Sequence, residues 1–79
     1  MRMLDEIRDQ SVSVITILLT REEAEELRDS VASILGDRIG RHEHISSQDF
    51  QKEITIAVYD DATIESFNER CRRLIREDR

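Results

Sequence analysis

The chain is expected to fold as a single α+β domain of β-α-β-α order, and three observations carry that expectation. Residues 11–20, S-V-S-V-I-T-I-L-L-T, are the most apolar and most β-branched run in the protein. An amphipathic segment follows directly and ends at Gly36. A second apolar run over residues 52–60 is again followed by residues at helical spacing. With 79 residues the chain has the length of one small domain, and its core is thin, with Phe50, Tyr59 and Phe67 as its only aromatics. Residues 1–10 are mixed and charged, and a loose arm is expected there.

Residues 11–20 read as the central strand. Val12, Val14, Thr16 and Leu18 share one face, and Ser13, Ile15, Ile17 and Leu19 the other. A strand with one wet face alternates apolar and polar residues, and this one is apolar on both. A second copy of the chain is the expected cover, so a homodimer is expected.

Thr20-Arg21-Glu22-Glu23 fits a capping box, in which the Thr20 hydroxyl and the Glu23 carboxylate each accept from the other's backbone amide. Acidic residues crowd the first turns, where the positive end of the helix dipole favours them. Ala24, Leu27, Val31, Ile34 and Leu35 then form one apolar stripe, and Gly36 sits where a left-handed cap is expected. The helix is placed at residues 21–35.

Residues 37–51 are irregular and long for a connection. The strand over 52–60 carries Ile54, Ile56 and Val58 on one face. Asp60 or Asp61 is expected to cap a second helix with the stripe Ile64, Phe67, Cys71, Leu74 and Ile75. Shifting the first unit by 40 residues lays its strand and stripe on those of the second, the pattern of two strand–helix units in tandem. A right-handed crossover between them makes the strands parallel, but needs only about 2–6 connecting residues. The surplus favours antiparallel strands with both helices on one face, and leaves room for a third, short strand around His42–Ser46. Free sheet edges then invite extension of the sheet by dimerisation.

Composition bounds the function. Eighteen acidic residues stand against twelve basic ones, a net charge of −6. That disfavours nucleic acid and anionic membrane surfaces as partners, since both are bound by cationic side chains. No run has the length of a signal peptide or a membrane span. The lone Cys71 forms no internal disulfide, so a reducing cytoplasm is the expected location.

No set of nucleophile, base and oxyanion donors can be assembled, and the chain is read as non-enzymatic. Cys71 lies on an apolar stripe and is expected to be an inert thiol. Arg70, Arg72, Arg73, Arg76 and Arg79 are interleaved with acidic residues and read as a solvated helix face. The densest polar cluster is His42-Glu43-His44. Two histidines two apart on an extended segment point the same way, so they can meet one divalent metal ion if Asp37, Asp49 or Glu53 adds a ligand. The expected protein-binding surface comprises His42, Glu43, His44 and Asp49 with Glu22 and Glu26 on the acidic helix face. The alternative is a regulatory domain binding a metal or small ligand at His42 and His44, with no other cofactor expected.

Gly40-Arg41-His42-Glu43-His44-Ile45, placed after a strand–helix unit and before an apolar strand, resembles a stretch in small bacterial immunity proteins of polymorphic toxin systems. The resemblance covers these six residues and the order of elements. It implies a bacterial cytoplasmic protein that inhibits a partner protein by binding it, with no catalysis of its own.

Overall fold

A hairpin built on the second apolar run forms the longest ladder of the fold. The computed structural model describes residues 1–36 and 40–79. Its elements are β1 (Leu4–Asp5), β2 (Gln10–Ser11), α1 (Arg21–Leu35), β3 (His42–Ser46), β4 (Glu53–Ala57), a 3-10 turn (Ile64–Ser66) and α2 (Glu69–Glu77). The strands form two antiparallel two-stranded sheets, β1–β2 and β3–β4, so the architecture is α+β. In the larger sheet His42 stands opposite Ala57, His44 opposite Thr55 and Ile45 opposite Ile54.

The central strand expected over residues 11–20 is not formed. Only Ser11 pairs, as the last residue of β2, and residues 12–20 lie outside helix and strand. The ladder is made instead by His42–Ser46, the short extra strand allowed for above. The physical reason is loop closure. β3 and β4 are joined by residues 47–52, whereas residues 11–20 must close a far longer loop to reach β4, at a higher entropic cost. The tandem strand–helix units therefore give way to one central hairpin with α1 before it and α2 after it.

α1 starts as its sequence predicts. Thr20 is extended (φ −69°, ψ 168°), the Glu23 amide donates to Thr20 Oγ1 (3.2 Å), and the Thr20 amide donates to Glu23 Oε1 (2.9 Å). Its C-terminal end differs from expectation, since Gly36 has φ −73° and ψ −102° and so is not left-handed. The glycine that needs its freedom is Gly40 (φ 90°), whose amide donates to the Val58 carbonyl (2.9 Å) and whose Cα faces Thr63.

α2 starts later than expected. Asp60 organises a turn, with its carboxylate accepting from the Thr63 amide (3.0 Å), and the 3-10 turn follows. Phe67 is extended, and Asn68 is the true cap, accepting from the Cys71 amide (2.9 Å). Thr63, Ser66 and Asn68 all bond backbone groups through their side chains, which competes with continuous helix.

Residues 1–10, where a loose arm is expected, instead form the β1–β2 hairpin together with Ser11 and Val12. Arginines of α2 hold it: Arg73 Nη2 donates to Asp9 Oδ1 (3.0 Å), and Arg70 Nη2 donates to the Glu6 carbonyl (2.6 Å). Arg70 Nε lies 2.9 Å from Asp9 Oδ1 as an ion-pair contact. Arg2 Nε also donates to the Ile75 carbonyl (3.2 Å).

Four apolar residues are buried among those described: Ile34 of α1, Ile45 of β3, Phe67 just before α2, and Leu74 of α2. α1 meets the hairpin on its Glu43 and Ile45 face. His42, which alternation places on the opposite face, sets its ring edge-on to Phe67 with centroids 5.5 Å apart. The body measures 33 × 31 × 18 Å and is therefore flat. It exposes 6292 Å², where a folded monomer of 9.3 kDa exposes about 5,000 Å².

The thin core concentrates stability at few positions. Ile45→Ala is expected to cost about 2–5 kcal/mol in urea unfolding of dilute protein. Leu18→Ala, at a side chain 89% exposed, is expected to stay within about 0.5 kcal/mol. Equal losses at the two sites contradict this distribution of burial.

Candidate functional site

The helix face predicted to be acidic borders an open groove. Glu22, Glu25, Glu26 and Asp29 project from successive turns of α1, and Glu43 projects from β3 beside them. Together with Ser30 and Ser33 they line a volume of about 540 Å³. Ser33 Oγ donates to Glu43 Oε1 at 3.5 Å, which spans the helix–strand seam. Arg28 pairs with Asp29 (3.1 Å), whereas Glu22, Glu25 and Glu26 have no hydrogen-bond or ion-pair partner among the described residues. Uncompensated like charges in a groove focus a negative potential that attracts cationic surfaces.

Glu22 and Glu26 also border a second hollow of about 320 Å³, between the start of α1 and the hairpin tip. The clamp here is Glu23. Its Oε1 accepts from the Thr20 amide, and its Oε2 accepts from the Gln48 amide at 2.8 Å, so one carboxylate caps the helix and holds the tip. Bonding to the Thr20 amide first, and to the Gln48 amide second, holds its pKa below the usual value.

The tip is knit by Ser47 and Asp49. Ser47 Oγ donates to Asp49 Oδ1 (2.6 Å) and accepts from the Lys52 amide (3.0 Å), and Asp49 Oδ1 also accepts from the Gln51 amide (3.0 Å). The Ser47 hydroxyl chiefly, then the Gln51 amide, lowers the Asp49 pKa. This network forces Phe50 into a left-handed conformation (φ 59°) with its ring 82% exposed. A bulky side chain rarely adopts that backbone geometry.

Of the six residues predicted as a binding surface, the structure gathers Glu22, Glu26 and Glu43 into one groove, with Asp49 at the adjoining tip. His42 and His44 lie on the other face of the hairpin. His44 Nδ1 is 2.9 Å from both Thr55 Oγ1 and Glu53 Oε1, and His42 is against Phe67. No group of three or more His, Cys, Asp or Glu placed to hold a metal ion occurs among the described residues, and Asp37, one of the supplementary ligands considered, lies outside them. Cys71 is a half-buried free thiol. The arginines of the C-terminal run are engaged within the chain: Arg70 and Arg73 with the N-terminal hairpin, Arg72 with the Phe67 carbonyl, Arg76 with Glu65 and Arg79 with Glu77. No helix among the described residues is long and apolar enough to cross a membrane.

Sequence reasoning missed Phe50 as a site residue. Its signal was present but indirect: an isolated aromatic between polar residues in a connecting segment.

Glu23 and Asp49 give the site a pH dependence of defined sign. Both titrate lower in the folded chain than in the unfolded one. Their stabilisation is complete above the usual carboxylate range of about pH 4–4.5 and is lost as pH falls through and below it. Stability is therefore expected to decline as pH falls through and below that range, and less steeply in the double variant Glu23→Gln/Asp49→Asn. Identical pH slopes in urea titrations of the two proteins contradict the clamp.

No protein-family model, curated protein or solved structure matches the chain.

Proposed function

We propose that this protein is a non-enzymatic interaction domain whose acidic groove, with the hairpin tip at its end, receives a basic surface of a partner protein. The observation that carries this reading is Phe50. An aromatic side chain is held 82% exposed, on a left-handed backbone, beside a row of unpaired carboxylates. The ring covers little, and the left-handed backbone geometry costs about 1–2 kcal/mol. Strain of this kind persists where the exposed group serves binding. Aromatic residues dominate interface energetics when a partner's pocket desolvates them, and a surrounding charged rim sets encounter rate and partner choice.

The finer form of the proposal is an immunity-like inhibitor acting in the bacterial cytoplasm. Its support is the Gly40-to-Ile45 resemblance, a small acidic body, and a groove lined by carboxylates.

The test uses affinity capture from the native cell with three baits: the wild-type chain, Phe50→Gly and Glu22→Lys/Glu26→Lys. The expected result is one basic protein retained by the wild type and lost from both variants, with loss of its own activity when purified and mixed with the chain. Phe50→Gly is expected to melt at or above the wild-type temperature, because glycine relieves the left-handed strain. A partner retained equally by all three baits, or no specific partner, contradicts the proposal.

A further inference from the structure

The run Ser13–Leu19 is the strongest feature that the acidic groove leaves unexplained. Most of its side chains face solvent: Val14 is 85% exposed, Leu18 89%, Ile15 57% and Ile17 46%, while Leu19 is half-buried. Its backbone is equally open. Val12 bonds back to the Met3 carbonyl (2.9 Å) and the Thr20 amide bonds to Glu23, but between them no backbone N–H or C=O makes a hydrogen bond among the described residues. Seven consecutive residues thus carry strand-forming side chains and a full set of unused donors and acceptors. Exposed runs of this kind are templates for pairing with another chain.

We propose that Ser13–Leu19 pairs antiparallel with the same segment of a second copy, about a twofold axis at Thr16. The register follows from self-complementarity. Centred on Thr16, Ile15 stands opposite Ile17, Val14 opposite Leu18, Ser13 opposite Leu19, and Thr16 opposite itself. β-branched and apolar residues meet across the ladder, and a Thr–Thr pair sits on the axis, both favourable cross-strand combinations. A twofold interface requires each patch to fit itself, and this segment does so in both side-chain faces.

Charge and area both favour a second copy as the occupant. The chain carries a net charge of −6, so most of its surface repels its own copy, yet residues 11–20 contain no charged residue. The chain's surface exceeds that of a folded monomer of its mass by about 1,300 Å². A standard interface removes about 800 Å² from each partner, so the excess is of the size dimerisation hides. This inference is independent of the acidic groove, which lies on α1 and β3.

The test places single cysteines in a Cys71→Ser background. Thr16→Cys puts two thiols across the axis, with Cα atoms about 4.5–5.5 Å apart, inside the disulfide window. Ser13→Cys is the control, because in this register its two copies lie about 20 Å apart. Both positions are exposed, and neither side chain makes a hydrogen bond among the described residues. Mild oxidation is expected to convert Thr16→Cys to a covalent dimer and to leave Ser13→Cys reducible to nothing smaller than the monomer it already is. Light scattering of the unmodified chain is expected to rise from 9.3 kDa towards twice that value with concentration, and Ile17→Lys is expected to stay folded and monomeric. A mass of 9.3 kDa up to sub-millimolar concentration, equal cross-linking at both positions, or a dimeric Ile17→Lys overturns the proposal. A monomer that still captures a basic partner overturns this inference alone and leaves the interaction domain standing.

Discussion

The pairing of β3 with β4 is the constraint on which the rest of the structure depends. It sets Ile45 against α1, where Ile34 and Ile45, each 2% exposed, are the most deeply buried side chains. It also decides what is left over. Three runs in this chain can form strands, and the two joined by the shorter connection pair with each other. The third, residues 11–20, is the most apolar of all, and beyond Val12 it joins no strand among the described residues. The flat shape, the large surface and the open backbone all follow from that choice.

The same hairpin builds the candidate site. Its tip is too short to reach a core of its own, and it is held by side chains: Ser47 and Asp49 within the turn, and Glu23 from the helix. Glu23 links two requirements in one group, since the carboxylate that caps α1 also fixes Gln48. Phe50 is held outward as a consequence, next to Glu22 and Glu26. The C-terminal arginines serve the fold by contrast, tying the N-terminal hairpin to α2 through Asp9 and the Glu6 carbonyl.

Features written in local chemistry were legible in the sequence. The Thr20–Glu23 capping box, the span of α1, a strand within residues 52–60 (formed over Glu53–Ala57) and the acidic face of α1 each depend on residues within one or two turns of each other. Features decided by competition were not. Apolar alternation marks residues 11–20 as strand material, but it does not say which candidate finds a partner first. The start of α2 was displaced from Asp60 to Asn68 because Thr63 and Ser66 bond their own backbone, a contest between equally local signals. Half of the predicted site came together, Glu22, Glu26 and Glu43, because helix and strand periodicity placed it. His42 and His44 fell on the other face because Glu43, between them, is the residue that turns toward α1.

The isolated chain keeps its β3–β4 ladder closed and its Ser13–Leu19 backbone open. Hydrogen–deuterium exchange read at single-residue resolution tests it most directly. In dilute protein the amides of residues 14–19 are predicted to exchange as fast as in an unstructured peptide while those of β3 and β4 are protected, with protection of 14–19 appearing only as concentration rises. Slow exchange at residues 14–19 in dilute, monomeric protein would mean that this backbone is already paired within one chain.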